Sequence, residues 1–177
     1  MIGFTPLYYA LPDELPIIGT DHWVILFIGL LMVAVIEGVR LSFGLMFPGL
    51  RPYERHQVAS YVWASVGVLV ALWLMPSEVG TVCIVGMAVT DPIAGELRKR
   101  YRAPMASILP PIAIYGAICL TIIVQMTSWT WELIMIMCAV GSVSAILSER
   151  WKTKYLDDDF LMIVVPGMLM TALALTL

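Results

Sequence analysis

Residues 79–102 read "VGTVCIVGMAVTDPIAGELRKRYR". From Val79 to Leu97 the stretch is nearly all apolar and of about the 20-residue length that crosses a bilayer as a helix. It then stops in a cluster of cations, Arg98, Lys99, Arg100 and Arg102. A membrane span that ends against a basic loop explains this pattern, because basic residues accumulate on the cytoplasmic side of spanning helices. Two carboxylates lie in this run, Asp91 well inside it and Glu96 next to its last residue.

Reading outward from this span, the same apolar signal recurs along the chain. Candidate spans are Trp23 to Phe43, Val58 to Leu74, Val79 to Leu97, Pro104 to Gln125, Trp131 to Leu147 and Phe160 to Leu177. The chain has 177 residues, of which 60% are hydrophobic and 13% charged. A soluble domain this small cannot bury so much apolar surface. The expected fold is therefore an all-α integral membrane protein of six transmembrane helices. Residues 1–22 form an interfacial N-terminal segment, acidic and without the basic start of a signal peptide, and residues 23–177 form one transmembrane helical domain. The three cysteines fall inside spans, where they read as small packing residues rather than a disulfide or zinc framework.

All ten Lys and Arg lie in or beside residues 44–57, 98–103 and 148–159. The positive-inside rule then places these loops in the cytoplasm and both termini on the other side. A multi-pass protein with a strongly basic inner face follows, despite the net charge of −3.

Asp91 is six residues from Leu97, so it lies about 9 Å into the membrane at the helical rise. An ionised carboxylate at that depth is costly unless it faces a partner or a cavity. Pro92 removes a backbone donor and disfavours helix at Asp91. Broken backbone at membrane depth is tolerated where it lines protein or a water-filled cavity. A break in this helix beside a polar pocket open to the cytoplasm is expected; the structural alternative is an Asp hydrogen-bonded to a neighbouring helix. A second acidic feature, "YLDDDFLMIVVPG" (155–167), brings Asp157, Asp158 and Asp159 to the start of the last span, with Pro166-Gly167 interrupting it midway. Helix capping and the macrodipole account for one or two of the three acids. Clustered carboxylates also suit Mg²⁺ alongside substrate phosphates, with neighbouring Lys and Arg on the phosphate oxygens. Basic loops are equally what orients any membrane protein. Glu37 and Arg40 share a helix face, a pairing that structure alone can explain.

Four segments in order resemble the polyprenol, dolichol and phytol kinases, membrane enzymes related to phosphatidate cytidylyltransferases. They are "EGVRLSF" (37–43), "ERHQVASYVWASVGVLVALWLMP" (54–76), "TDPIAGELRKRYR" (90–102) and "YLDDDFLMIVVPG" (155–167). The resemblance implies transfer of the γ-phosphoryl group of CTP to an isoprenoid alcohol. Its catalytic residues would be Asp91 and Glu54, and its Mg²⁺ ligands Asp91, Asp157 and Asp158. Arg98, Lys99, Arg100, Arg102 and Lys152 would hold the nucleotide phosphates. The implied partners are the isoprenoid lipid and the nucleotide, with a homodimer compatible and no nucleic acid. The chain departs from the family pattern at Thr90, Arg98 and Arg102, which stand where the signature has Gly, and at Asp159, which replaces an Asn. The family's Lys-Thr/Ser-x-Glu-Gly motif is also missing: "IAIYG" (112–116) keeps only Gly116. Competing expectations are a cytidylyltransferase-like enzyme, a non-catalytic relative that binds isoprenoid, and a small ion-coupled transporter.

Overall fold

The computed structural model of the chain describes residues 8–9, 22–47, 50, 55, 57–101, 104–151 and 156–176. Among the described residues there are six helices and no strand: α1 His22–Phe43, α2 Ser60–Leu74, α3 Ser77–Arg100, α4 Pro104–Met126, α5 Trp131–Glu149 and α6 Asp158–Thr176. All except α2 are long and apolar enough to cross a membrane. The chain is thus an all-α protein with the build of a multi-pass membrane protein.

The helix expected to span Val58 to Leu74 is shorter than the others. α2 has 15 residues, which reach about 22 Å at the helical rise, less than the ~30 Å hydrocarbon core. Both limits have local causes. At its start Ala59 is extended, with φ −73° and ψ 152°, and its N–H is taken by the Glu37 carboxylate. At its end Met75 is pushed to extended backbone by Pro76, whose ring disfavours helix in the residue before it.

The breaks expected at Pro92 and at Pro166-Gly167 are absent. α3 and α6 each continue through their proline, as α4 does through Pro110 and Pro111. A proline inside a helix forfeits one backbone hydrogen bond and crowds the preceding turn, about 3 kcal/mol in an isolated helix. Long helices held by neighbours tolerate this loss in membranes.

Helices α2 to α6 close into a ring in sequence order, with α6 packing back on α2. α3 and α6 also touch across the ring, and α1 lies outside against α2. The core between them includes Ala71, Val82, Cys83, Tyr115, Met137 and Ile163, and all three cysteines are free and buried. Small residues let the backbones approach, as membrane helix interfaces require. A Cβ on Gly86 of α3 would lie 2.5 Å from the Tyr115 ring of α4. Large apolar side chains of α1, among them Ile28, Leu31, Met32 and Val35, are exposed instead, the surface that lipid covers in a spanning helix.

α1 ends at Gly44, whose φ of +63° is the left-handed conformation that glycine adopts without penalty. The Leu45 N–H then returns to the Arg40 carbonyl at 3.0 Å. Just before this cap, Glu37 and Arg40 form a two-pronged pair: Arg40 Nε and Nη2 donate to the two Glu37 oxygens, each at 2.7 Å. Arg40 Nη2 also donates to the Gln57 carbonyl at 2.6 Å, and the Tyr61 hydroxyl donates to Glu37 at 2.5 Å. Both charges are buried and hydrogen-bonded, so this cluster clamps the start of α2 onto α1. It is a structural pair.

Removing one member strands the other charge away from water. Arg40→Met is expected to lower the melting temperature of the detergent-solubilised protein by on the order of 5 °C, and Glu37→Gln combined with Arg40→Met by less. An unchanged melting temperature for Arg40→Met would show that the clamp contributes nothing to stability.

Candidate functional site

The basic ends of α1 and α3, Arg150 just after α5 and the acidic start of α6 frame the polar end of the bundle among the described residues. α3 carries most of the site. Asp91, Gly95 and Arg98 recur at four- and three-residue steps, as do Pro92, Glu96 and Lys99, so they form two adjacent stripes on one side of the helix. The α3–α6 packing brings Asp158 to the same place. Together these seven residues line a cavity of about 550 Å³, within the range of roughly 300–1,000 Å³ typical of small-molecule sites.

Gly95 gives the cavity its room. A Cβ there would meet only Arg98 Nη2, at 4.0 Å. The lining charges are three carboxylates, Asp91, Glu96 and Asp158, against two cations, Arg98 and Lys99. Glu96 and Lys99 are 3.9 Å apart and largely exposed, a pair of the kind that contributes little in water. Arg98 is different: its Nη2 lies 2.5 Å from Glu149 Oε1 on α5, and the Glu149 side chain is only 2% exposed. Arg150, the next residue, donates from Nη2 to the Ser107 hydroxyl of α4 at 3.0 Å, fixing the end of α5.

The expected site residues divide accordingly. Asp91, Asp158, Arg98 and Lys99 come together around the cavity. Asp157 instead takes the capping position of α6, where its carbonyl accepts the Leu161 N–H at 3.3 Å; it does not line the cavity. Asp158 and Asp159 occupy the first turn, which the macrodipole favours for acids. Arg100 is two residues beyond Arg98, nearly opposite on a helix, and its guanidinium lies 6.0 Å from the Tyr101 ring centre. Glu54, Arg102 and Lys152 lie outside the described residues.

Among the described residues no group of three or more His, Cys, Asp or Glu side chains is arranged to hold a metal ion. The cavity instead offers carboxylates from two helices, Asp91 and Asp158. That fits the mode in which Mg²⁺ keeps several waters and binds through one or two carboxylates plus substrate phosphates.

Glu149 was not among the expected site residues. Its signal in the sequence is positional: a lone acid closing an apolar helix, at the end where the macrodipole disfavours negative charge. Such a placement calls for a partner from elsewhere in the fold.

Comparison of the chain with family models, with curated proteins and with solved structures finds no match.

Since Gly95 leaves its space to the cavity and its backbone is helical, Gly95→Leu should fill the site while keeping the fold. The expected result is an unchanged or slightly raised melting temperature with loss of magnesium pyrophosphate binding, read by calorimetry. Retained binding would place the ligand elsewhere.

Proposed function

We propose that the chain is a membrane enzyme that transfers the γ-phosphoryl group of CTP, or of another nucleoside triphosphate, to an isoprenoid alcohol. The observation that carries this reading is the cavity at the polar end of the bundle, in which acids from two helices and two cations from α3 face the same space. The end of the bundle that carries the Lys and Arg residues is taken as the cytoplasmic side, where nucleotide is available, by the charge rule for spanning helices.

In this reaction the alcohol oxygen attacks the γ-phosphorus as the bond to the β–γ bridging oxygen breaks, and the nucleoside diphosphate leaves. Arg98 and Lys99 hold phosphate oxygens, Arg98 with the fork geometry that guanidinium offers. Asp91 accepts the alcohol proton or, with Asp158, binds Mg²⁺. A bound Mg²⁺ supplies charge neutralisation of the polyphosphate. The apolar helices around the cavity keep the isoprenoid chain in the bilayer while its hydroxyl reaches the polar end.

One observation favours a second reading, a non-catalytic relative that binds isoprenoid. Tyr115 stands where the resembling family has its motif Glu, and it is fully buried in the core against Gly86. That position is a packing site here, so any nucleotide contact it makes in the family has to come from other residues.

Transfer from γ-labelled CTP or ATP to short and long isoprenoid alcohols, in detergent with Mg²⁺, separates the two. Wild type should yield labelled lipid phosphate, chelation of the metal should abolish it, and Asp91→Asn should reduce kcat by about 100-fold or more. No transfer by folded wild-type protein that still binds isoprenoid would favour the non-catalytic reading.

A further inference from the structure

We infer that Glu149 is a positioning residue for the cavity: its buried carboxylate holds the Arg98 guanidinium at the rim, so that the remaining N–H groups meet the phosphate of a bound ligand from a fixed direction. This rests on reading the cavity as a phosphate site.

The geometry carries the inference. Arg98 belongs to both places, lining the cavity with Asp91 and Asp158 while Nη2 lies 2.5 Å from Glu149 Oε1, an ion-pair contact rather than an aligned hydrogen bond, since that buried oxygen has no hydrogen-bond partner among the described residues. Its side chain is 38% exposed, whereas that of Glu149 is 2% exposed, so the carboxylate is the fixed partner and the guanidinium the half that faces solvent. A guanidinium has five donors in a rigid fork. One edge can engage Glu149 and leave others for an anion. Lysine has no such second edge of fixed direction, and Lys99 beside it is held only by the loose contact to Glu96.

Glu149 is poorly explained as a helix-stabilising residue. It lies at the C-terminal end of α5, where negative charge opposes the macrodipole, and burying it costs free energy that a partner must offset. Asp91 and Asp158 are also within electrostatic reach of Glu149. Arg98 thus supplies a cation at a cavity whose lining otherwise holds three acids and Lys99.

The test uses the full chain in detergent, with magnesium pyrophosphate as probe for binding and CTP for kinetics. Glu149→Gln is expected to weaken pyrophosphate binding about tenfold, and to raise KM for CTP more than it lowers kcat. In an Arg98→Gln background the same change should add less than about twofold, because the two residues act as one unit. Independent, additive losses would overturn the inference, as would a lowered melting temperature with binding intact. Tighter binding by Glu149→Gln would also overturn it, showing that the carboxylate competes with phosphate for Arg98. Should Glu149→Gln fail to fold, Glu149→Asp carries the test: the charge stays but the reach shortens, and weakened binding in a folded protein is again expected. Wild type that binds no magnesium pyrophosphate overturns the phosphate reading itself; wild type that binds and is indifferent to Glu149 overturns only the positioning role.

Discussion

Hydrocarbon does not solvate an ion, and the placement of most charged side chains among the described residues answers to that fact. The charges within the described helices gather towards one end of the bundle, apart from Glu78 and Glu132 in the first turns of α3 and α5. Those buried at the polar end are met by an opposite charge: Glu37 by Arg40 and Glu149 by Arg98. The apolar remainder is then free to pack by size, with a glycine allowing α3 and α4 to close on the Tyr115 ring.

The two buried pairs do different things. Glu37 and Arg40 bond each other, two backbone groups and Tyr61, and what they gain is a fixed junction between α1 and α2. Arg98 and Glu149 join α3 to α5 by a single contact and leave the guanidinium at a cavity. A pair with both charges buried is a clasp, whereas a part-exposed arginine at a cavity rim can take a ligand. Position separates Asp157, whose carbonyl accepts the Leu161 N–H at the start of α6, from Asp158, which lines the cavity one residue later.

The apolar runs made the helices legible in the sequence, and the Asp91 segment made the cavity legible, because a carboxylate that deep in such a run has few tolerable surroundings. What could not be read locally came from contacts between distant segments. The late start of α2 depends on the Glu37 carboxylate holding Ala59, 22 residues away. The prolines argued for broken helices, yet α3 and α6, packed against their neighbours, run on through them without a break. The basic cluster after Leu97 read as one group, but helical geometry sends Arg98 and Lys99 to the cavity and Arg100 away from it. Glu149 gained meaning only when α5 was placed near Arg98.

The most direct test of the shared cavity is Mn²⁺ binding, followed by electron paramagnetic resonance on the purified full chain with pyrophosphate present. A single bound Mn²⁺, lost in Asp91→Asn and equally in Asp158→Asn, is the result expected if acids from α3 and α6 serve one ligand site. Binding that survives Asp158→Asn unchanged would contradict it, since the cavity would then not be the place where the two helices act together.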